Sequence, residues 1–476
     1  MAGLVSVRAR HLAKLGARQL STNANIAVVG GGAAGFYTAA RLLSKTPDVH
    51  VDIFERLPAP YGLVRYGVAP DHPEVKNCTA KFSEVSGNAR VRFFGNVDIG
   101  GSLSVSRLQE MYDGVVLAYG TSTDRRLNIP GEDGDQRHIG MVSARQFVAW
   151  YNGLPEAQNL APDLSSHDTV VVVGHGNVAL DCARILLAPV ETLACTDMTV
   201  RAVEALKESR IRHVQMVGRR GPLQVSFTTK ELREMTKLAN VQVVCDRALV
   251  EQECSSSAGQ ALLQTARPLR RMMDLLLKHA VSPDQMTGER TFQLRFLRSP
   301  LAIELDEKVQ RVRLAINRLE GESPVRAVAT GDEEEVACAM ALRSVGYAGQ
   351  ALEGVPFDGR VVPNIAGRVM AGDKPVHGLY VAGWIKRGPV GVIATTMQDA
   401  YRTADAVLMD LNSQAIGGQS TLSNIDSMLE LCGINPVSNE DWRRLDAYEV
   451  SKGQTAGKPR EKVTSVQDML NVIRDK

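Results

Sequence analysis

The stretch Asn25–Leu43, NIAVVGGGAAGFYTAARLL, joins a short apolar run to a glycine-rich turn and then to a helical pattern. It predicts a strand at Ile26–Val29 followed by Gly30, Gly32 and Gly35 in the spacing GxGxxG. Glycines in this spacing allow a tight turn, a close approach of the backbone to a pyrophosphate, and close packing of the helix on the strand. The stretch therefore predicts a strand–turn–helix unit that binds a dinucleotide at a helix N-terminus.

An acidic residue follows at the expected distance. The next apolar segment, VHVDIFERL at residues 49–57, predicts a strand that ends in Glu55, twenty residues after Gly35. A carboxylate at this place accepts hydrogen bonds from a ribose diol and repels a 2′-phosphate. The first site therefore suits the AMP half of FAD or NAD.

A second unit of the same kind begins at residue 168 with DTVVVVGHGNVALDCARILL. A strand at Val170–Val173 leads into Gly174, Gly176 and Ala179, which read GxGxxA with a third residue still small enough for close helix packing. The chain is thus expected to fold into two dinucleotide-binding units.

The second unit differs from the first at the end of its next strand. The segment HVQMVGRRGP at residues 213–222 places Arg219 and Arg220 where the first unit has Glu55. Guanidinium groups bind phosphate in bidentate fashion, so this pair predicts a phosphorylated ribose and a preference for NADP over NAD. A solvated surface pair is the alternative. Opposite ribose preferences imply two cofactors, FAD and NADP(H), with hydride transfer between them.

Composition limits the other classes of function. The chain has 476 residues, of which 44% are hydrophobic and 23% charged, and no apolar run approaches the roughly eighteen residues of a membrane span. Residues 1–20 contain four basic residues, and the first acidic residue of the chain is Asp48, which predicts a mitochondrial presequence. This segment accounts for the slight positive charge of +2, so nothing indicates nucleic-acid binding.

The seven cysteines show neither a CxxC pair nor a metal-binding spacing. We therefore expect no redox-active disulfide, no iron–sulfur cluster in this chain and no metal site.

The order of the motifs predicts the domains. A strand at Val115–Tyr119 precedes a crossover near Thr121–Arg126, and the second domain ends near Leu342. The expected FAD-binding domain is discontinuous, at residues 21–122 and 343–476, and the NADP-binding domain is inserted at 123–342. Residues 250–265 and 318–335 are expected to be hairpin loops, and residues 412–476 to contain one short helix.

A third strand–glycine–helix segment lies late in the chain. It predicts a strand at Leu379–Ala382 and a helix that begins near Val392. In two-dinucleotide flavoproteins, a late segment of this kind places backbone N–H groups and a helix N-terminus against the flavin ring, where negative charge builds on reduction. Trp384 lies between them, and stacking on the cofactor and packing in the core are equally open for it.

Four long blocks resemble the mitochondrial adrenodoxin reductases, the NADPH:ferredoxin oxidoreductases, and their bacterial relatives. They are PYGLVRYGVAPDHPEVKN, GHGNVALDCARILL, GRRGPLQVSFTTKELREM and GLYVAGWIKRGPVGVIATTM, and the resemblance runs from about Asn25 to the C-terminus. It implies an α/β fold of the glutathione-reductase-like superfamily, with two Rossmann-like domains and no redox disulfide. Ala33 departs from the family, which usually has proline there.

The resemblance also implies roles for individual residues, and it assigns catalytic positions to His72, near the nicotinamide, and to Glu231. The implied FAD contacts, beyond the glycine turn, are Ala34, Glu55, Leu63, Val97, Trp384, Gly391, Val392 and Ile393. The implied NADPH contacts are His175, Gly176, Asn177, Val178, Arg219, Arg220, Glu231 and Gly391.

The family's electron acceptor is an acidic 2Fe–2S ferredoxin, which serves mitochondrial cytochromes P450, as in steroid metabolism, or iron–sulfur cluster assembly. The resemblance places partner-binding arginines at Arg267 and Arg271, in the segment ARPLRRMMDLLLKHA with Arg270 and Lys278. It implies a location in the mitochondrial matrix, and peripheral attachment to the inner membrane is left open. By itself the basic cluster also fits a solvated helix face.

Two alternatives belong to other classes. One is an NADPH-dependent flavin monooxygenase, although no apolar substrate pocket is visible in the sequence. The other is a nucleotide-binding scaffold or redox sensor without turnover, which the segment from Trp384 to Ile393 argues against.

The arginine pair gives the first prediction. Replacing both Arg219 and Arg220 with alanine should lower the preference for NADPH over NADH by about 10²- to 10⁴-fold, because each charge-assisted contact contributes about 1.5–3 kcal/mol. The ratio of kcat/KM for the two nucleotides measures this preference. An unchanged ratio would mean that the arginines are only a surface pair.

Overall fold

The computed structural model describes residues 24–134, 140–306, 309–321, 325–417 and 425–475, so the expected presequence lies outside the described residues. The strands are β1 (Ala24–Val29), β2 (Val49–Phe54), β3 (Val91–Phe94), β4 (Gly114–Leu117), β5 (Thr123–Asp124), β6 (Met141–Ser143), β7 (Thr169–Val173), β8 (His213–Val217), β9 (Gln242–Cys245), β10 (Thr291–Arg295), β11 (Arg298–Asp306), β12 (Val309–Glu320), β13 (Arg326–Cys338), β14 (Met340–Arg343), β15 (Tyr347–Ala348), β16 (Asn364–Ile365), β17 (Arg368–Ala371) and β18 (Lys374–Val381).

The helices alternate with the strands over much of the chain, as in an α/β protein. They are α1 (Ala33–Lys45), α2 (Leu63–Tyr66), α3 (Cys78–Ser86), α4 (Val105–Met111), α5 (Ala144–Asn152), α6 (Asn177–Leu187), α7 (Val190–Ala194), α8 (Val200–Lys207), α9 (Thr229–Met235), α10 (Arg247–Ser255), α11 (Ser257–Thr265), α12 (Arg267–His279), α13 (Trp384–Arg387), α14 (Ile393–Asn412), α15 (Ile425–Leu431), α16 (Asn439–Thr455) and α17 (Val466–Arg474).

The first of two compact units comprises the described residues up to Gly62, together with Cys78–Ser122 and Ala348–Trp442. Within the described ranges its sheet has the order β16-β17-β18-β4-β1-β2-β3. The five strands from β18 to β3 run parallel, and β16 and β17 are antiparallel additions at one edge. All six residues of β1 are buried, because a strand inside a parallel sheet is covered on both faces.

The turn after β1 depends on two close approaches of backbone. Gly30 has a φ of 114°, and a Cβ there would lie 2.5 Å from the carbonyl oxygen of Ala118. A Cβ on Gly35, in the first turns of α1, would lie 2.1 Å from the carbonyl oxygen of Gly30. Both contacts are with backbone, which cannot rotate away, so only glycine allows helix α1 to begin this close to the sheet.

The second unit contains Leu63–Asn77, Thr123–Tyr347 and the described residues from Arg443 onward. Where the structure describes it, its main sheet has the order β6-β14-β7-β8-β10-β9, with every pairing parallel. Strand β7 is central and fully buried. A separate antiparallel sheet consists of β11, β12 and β13.

The compact units divide the chain differently from the predicted domains. The first crossing lies at Ser122–Thr123 and the return at Tyr347–Ala348, while residues 63–77 and the chain from Arg443 onward belong to the second unit. A buried ion pair connects residues 63–77 to the chain after Arg443. In this pair Arg65 Nη2 lies 2.5 and 2.7 Å from the two carboxylate oxygens of Glu449. Burial lowers the pKa of Arg65, but the charges and hydrogen bonds of Glu449 and Tyr66 together outweigh burial, so the pKa is raised.

Three predictions about local structure were wrong. Residues 250–265 lie in helices α10 and α11, and residues 318–335 lie mostly in strands β12 and β13. The region after residue 412 contains three helices among its described residues, including the 17-residue α16. Polar helices and exposed hairpin strands carry many Ser, Glu and Gly residues, so their composition does not differ from that of loops.

No helix within the described ranges is long and apolar enough to cross a membrane. All seven cysteines, each of which the structure describes, are free thiols.

Gly35 provides a test of the close helix packing. Gly35→Ala should lower the free energy of unfolding by about 1–3 kcal/mol, because the new Cβ would overlap the backbone of Gly30. Urea unfolding of the ligand-free chain measures this loss. Gly32→Ala is the matched control: a Cβ at Gly32 meets no atom within 4 Å, and the loss of a favourable N-cap residue is offset by the lower entropy of the unfolded chain, so its stability should change by less than about 0.5 kcal/mol. Equal losses in the two variants would contradict the packing argument.

Candidate functional site

The first helix begins with an open N-terminus. Gly32 is the N-cap residue of α1, and no side chain caps it. A Cβ on Gly32 would meet nothing within 4 Å, so the space in front of the helix is clear. The first N–H groups of a helix carry partial positive charge and have no partner within the helix. This place therefore fits a phosphate group.

Glu55 lies directly after β2, beside this turn. Its Oε2 accepts a hydrogen bond of 2.9 Å from Gly31 N–H, and its Oε1 accepts one of 3.2 Å from Leu57 N–H. Burial raises the pKa of Glu55, while these two N–H donors act in the opposite direction. Each oxygen accepts one backbone bond and has a further lone pair for a ribose hydroxyl. Val97, another predicted contact, donates from its N–H to the Glu55 carbonyl at 3.0 Å.

The late glycine segment reaches the same helix. A Cβ on Gly383 would lie 2.6 Å from the Cβ of Ala34, so the residue before Trp384 lies against α1. The N–H of Gly383 donates to buried Asp399 Oδ2 at 2.7 Å, which ties the start of α13 to α14. The structure thus brings Trp384, the first residue of α13, beside the first glycine turn.

Helices α1 and α14 run in the same direction. Tyr37 packs edge-on against Tyr401, and Arg41 pairs with Asp405 at 2.8 Å, so residue numbers rise together along the two helices. Their N-termini therefore lie at the same end. Val392 is the N-cap of α14 and has no side-chain cap, so it offers a second open N-terminus, flanked by the predicted residues Gly391 and Ile393.

Arg387 holds the turn that leads into α14. Its Nη1 donates to the carbonyl of Val390 at 2.6 Å, and its Nη2 donates to the Thr396 hydroxyl at 3.0 Å. Arg387 was not among the site residues predicted from the sequence. A basic residue immediately before a glycine-rich turn was the available signal. Two open helix N-termini and a buried acceptor for a diol together fit FAD in the first unit.

The second glycine turn has the same construction in the second unit. Gly176 is the N-cap of α6 without a side-chain cap, and a Cβ on it would meet only Ser226 Oγ, at 3.8 Å. Asn177 Oδ1 accepts a 2.8 Å bond from Thr228 N–H, which fixes the loop that follows β8. Val178, the remaining predicted residue of this turn, lies in the first turn of α6.

His175 is an internal support of this turn. Its Nε2 lies 3.0 Å from the carbonyl oxygen of Met216, and its ring packs edge-on against Phe296 and Phe227. A Cβ on Gly218 would lie 2.3 Å from His175 Nδ1, so the residue before the arginine pair must be glycine. Burial lowers the pKa of His175 to about 4, and the charge of Arg220 adds to this effect.

Arg219 and Arg220 have fixed backbones and free side chains. The Arg219 carbonyl accepts from Asn317 Nδ2 at 3.1 Å, and the Arg220 carbonyl accepts from Leu297 N–H at 3.1 Å. Both side chains are exposed, and neither pairs with a carboxylate in the part of the chain that the structure describes. The two guanidiniums are thus available to a ligand phosphate, and this arrangement fits NADP.

His72 and Glu231 lie in a charged cluster of the second unit. His72 Nε2 is 2.7 Å from Glu234 Oε2, whereas Glu231 lies one turn earlier on α9. The buried Arg184 side chain lies 3.4 Å from Glu231 and 3.6 Å from Glu234. Burial raises the pKa of Glu231, and the charges of Asp181 and Glu234 raise it further.

Sequence reasoning missed Glu234, Arg184 and Asp181. Arg184 also binds Asp181 at 2.7 Å and Asp71 at 2.6 Å, which anchors the loop carrying His72 to α6. The i,i+3 spacing of the charged pairs on α6 and α9 was the available signal. Donor atoms of His72, Glu231 and Glu234 lie within 4.8 Å of one another, close enough for a metal ion, but Arg184 already supplies positive charge there.

The remaining predicted residues lie apart from these groups. Leu63 is the first residue of α2, belongs to the second unit and is 40% exposed. Arg267, Arg270 and Arg271 are exposed on α12, which buries Met272, Met273 and Leu276 on its other face. No ion pair engages these arginines in the described part of the chain.

Two glycine-turn units with opposite ribose-binding groups define a two-dinucleotide oxidoreductase of the α/β class. A family profile described as "Pyridine nucleotide-disulphide oxidoreductase" matches residues 24–253. The mitochondrial NADPH:adrenodoxin oxidoreductase of Homo sapiens is 47% identical over 464 residues, which cover 94% of this chain and 91% of that protein. The chain belongs to the family of the NADPH:adrenodoxin oxidoreductases.

Bacterial relatives support the same assignment. The NADPH-ferredoxin reductase FprA of Mycobacterium tuberculosis is 40% identical over 465 residues, which cover 94% of this chain and 98% of that protein. The solved structure of M. tuberculosis FprA in complex with NADPH matches with a TM-score of 0.87 at 38% identity, covering 94% of this chain and 99% of that one.

The lowered pKa of His175 predicts a pH dependence of stability. Between pH values of about 6.5 and 4 the unfolded chain binds a proton that the folded chain does not, so stability falls as the pH is lowered through this window. His175→Gln removes this effect and should flatten the slope of unfolding free energy against pH by up to about 1.4 kcal/mol per unit.

Urea unfolding between pH 4 and 7 measures that slope. The control is His377→Gln, at an exposed residue of β18, which should leave the slope unchanged. An equal slope in the His175 variant and the original protein would contradict the prediction.

Proposed function

We propose that this chain is an FAD-dependent NADPH:ferredoxin oxidoreductase. The observation that carries the proposal is the contrast between the two nucleotide units. The first unit ends its second strand in Glu55, which accepts backbone hydrogen bonds, and the second ends the equivalent strand in two exposed arginines without acidic partners among the described residues. A carboxylate favours an unphosphorylated ribose in the first unit, and two guanidiniums favour a ribose with a 2′-phosphate in the second.

The proposed FAD site lies in the first unit. Its pyrophosphate would face the N-terminus of α1 at Gly30–Gly35, its ribose would bind Glu55, and the α14 N-terminus at Gly391–Ile393 would stabilise negative charge on the ring. Bound FAD supplies the conversion of a two-electron hydride donor into one-electron transfer. The protein therefore needs to position the rings and exclude water, and no side chain has to act as a nucleophile.

NADPH is proposed to bind along His175–Val178, with its 2′-phosphate between Arg219 and Arg220. The fixed backbone of the two arginines supports this role, because only the side chains, and not the loop that carries them, have to be ordered when the ligand binds. His72 and Glu231 are proposed to orient the nicotinamide end, and Glu234 would hold the His72 ring through the 2.7 Å contact.

The proposed partner is an acidic 2Fe–2S ferredoxin that docks on α12. Arg267, Arg270 and Arg271 support this because they are exposed, lie opposite the buried apolar face of the helix, and have no ion-pair partner in the described ranges. A helix whose cations already paired with its own acids would have less attraction for an acidic protein.

We also propose that the protein acts in the mitochondrial matrix, with residues 1–20 as the targeting segment. Support comes from the basic, acid-free composition of that segment and from the mitochondrial relatives. The electrons would serve cytochromes P450 or iron–sulfur cluster assembly.

The test is reduction of cytochrome c by residues 21–476 loaded with FAD, with and without a mitochondrial 2Fe–2S ferredoxin, using NADPH or NADH. We expect strong dependence on both ferredoxin and NADPH. Turnover that ignores ferredoxin and consumes oxygen in step with product would favour the monooxygenase alternative. Nucleotide binding without flavin reduction would favour the sensor.

Arg271→Glu separates docking from the flavin chemistry. This variant should lose about tenfold or more of the ferredoxin-dependent rate at low salt, because it places a negative charge against an acidic partner. Its rate of ferricyanide reduction with NADPH should stay intact. Arg271→Lys is the matched control, which keeps the charge and should retain most of the rate, and added salt should slow the original protein. Equal loss of both activities in Arg271→Glu would reject the docking role.

A further inference from the structure

A cavity of about 400 Å³, open to solvent on one side, lies in the second unit, and none of the residues assigned above lines it. Its walls include Arg212, Arg290, Lys207, Asn240 and Ser209, together with buried apolar residues from the ends of α6 and α8. Three cationic residues therefore line one space that is larger than a water molecule requires.

The cavity is at the amino-terminal edge of the second sheet. Arg212 immediately precedes β8 and Arg290 immediately precedes β10, and these parallel strands pair from His213 and Thr291 onward. Thr291 N–H donates to the Arg212 carbonyl at 3.0 Å, so the two arginines are neighbours on the sheet edge. The proposed NADP site follows the opposite, carboxyl ends of β7 and β8, about 16 Å away along a five-residue strand.

Arg290 lacks a counter-ion. Its Nε is buried without a hydrogen-bond acceptor, and the described residues provide no carboxylate within ion-pair distance of its guanidinium. Burial lowers the pKa of Arg290, and the neighbouring charge of Arg212 lowers it further. A partly desolvated cation beside a second cation is unfavourable unless an anion binds between or beside them.

Other groups around the cavity do not cancel this charge. Arg212 donates to backbone carbonyls, Ser209 at 3.3 Å and Ile211 at 2.8 Å, and pairs with no carboxylate in the described ranges. Glu191 is the acidic side chain in the wall, and it is exposed, as are Lys207 and Arg212, whereas Arg290 is partly buried. The carboxyl ends of α6 and α8 each add about half a negative charge. The positive charge of Arg212, Arg290 and Lys207 together still exceeds the negative charge of these groups.

We propose that this cavity is a second oxyanion site, which binds a phosphate group that is either free or part of a small phosphate ester. Two guanidiniums and an ammonium offer donors to several phosphate oxygens at once. The volume exceeds that of phosphate alone, which leaves room for the body of an ester. Asn240, at the start of the loop into β9, adds an amide that can bind a hydroxyl of that body.

The experiment is isothermal titration of the full chain, loaded with FAD and saturated with NADP⁺ so that the 2′-phosphate site is already filled. The probes are inorganic phosphate and glycerol 3-phosphate, with sodium chloride at matched ionic strength as the reference. We expect saturable binding of one equivalent of at least one phosphate probe. Tighter binding of the ester would assign the site to a phosphorylated metabolite, and equal or tighter binding of phosphate would assign it to the free ion.

Arg290→Met should weaken this binding about tenfold or more, since one charge-assisted contact is lost. Arg290→Lys should give an intermediate value. Arg107→Met, the same change at an exposed arginine of α4 in the first unit, should leave binding unchanged.

Thermal unfolding without phosphate distinguishes a ligand-binding arginine from a structural one. The Arg290→Met protein should be at least as stable as the original, because the change removes an unpaired charge. A clear loss of stability would mean that Arg290 supports packing, and would overturn the proposal. Absence of saturation, an effect that chloride reproduces, or undiminished binding by Arg290→Met would overturn it as well.

Discussion

The contact between Gly35 and the carbonyl oxygen of Gly30 is the constraint on which the first unit depends. With no side chain between them, α1 can begin directly above the end of β1, and its first N–H groups face the carboxyl edge of the sheet. Any larger residue would move the helix away and turn these donors toward other partners. The second unit repeats the tight turn, since a Cβ on Gly174 would lie 2.1 Å from the carbonyl oxygen of Ser344. It has Ala179 at the position equivalent to Gly35, so the two units share the glycine turn but not this helix contact.

The two units then diverge through a small number of side chains. Glu55 is fixed by two backbone donors, so a carboxylate is held in place to accept hydroxyl protons. In the second unit the fixed elements are the carbonyls of Arg219 and Arg220, while the guanidiniums project freely. The His175 ring packs against Gly218, the residue before the arginine pair, and fills the space that a side chain at position 218 would need. On the proposed assignment, discrimination between FAD and NADPH depends on the charge of the side chains that two similar backbone turns carry.

The features that could be predicted from the sequence are those encoded by residues close together along the chain. The glycine turns, Glu55, the arginine pair and the basic segment of α12 are all local patterns, and the structure places them at strand ends and on an exposed helix. The pairing of His72 with Glu234 joins residues 162 positions apart, and Arg184 reaches Asp71 across 113 positions, so no local pattern encodes them. Composition gave wrong loop predictions for helices α10 and α11 and for strand β13, because polar helices and a charged strand contain the same residue types as loops.

The buried pair of Arg65 and Glu449 has a consequence for biosynthesis. The two residues are 384 positions apart, and both belong to the second unit. A chain that emerges from its N-terminus onward therefore holds Arg65 for most of its synthesis without the carboxylate that neutralises it. Contacts of such large sequence separation form late, and unfinished domains expose apolar surface in the meantime. A truncation that removed α16 would leave the folded unit with a guanidinium that has lost this partner in its interior, a loss that typically costs several kcal/mol. The chain from Arg443 onward thus stabilises the second unit by supplying Glu449, although it contributes none of the residues proposed to bind nucleotide.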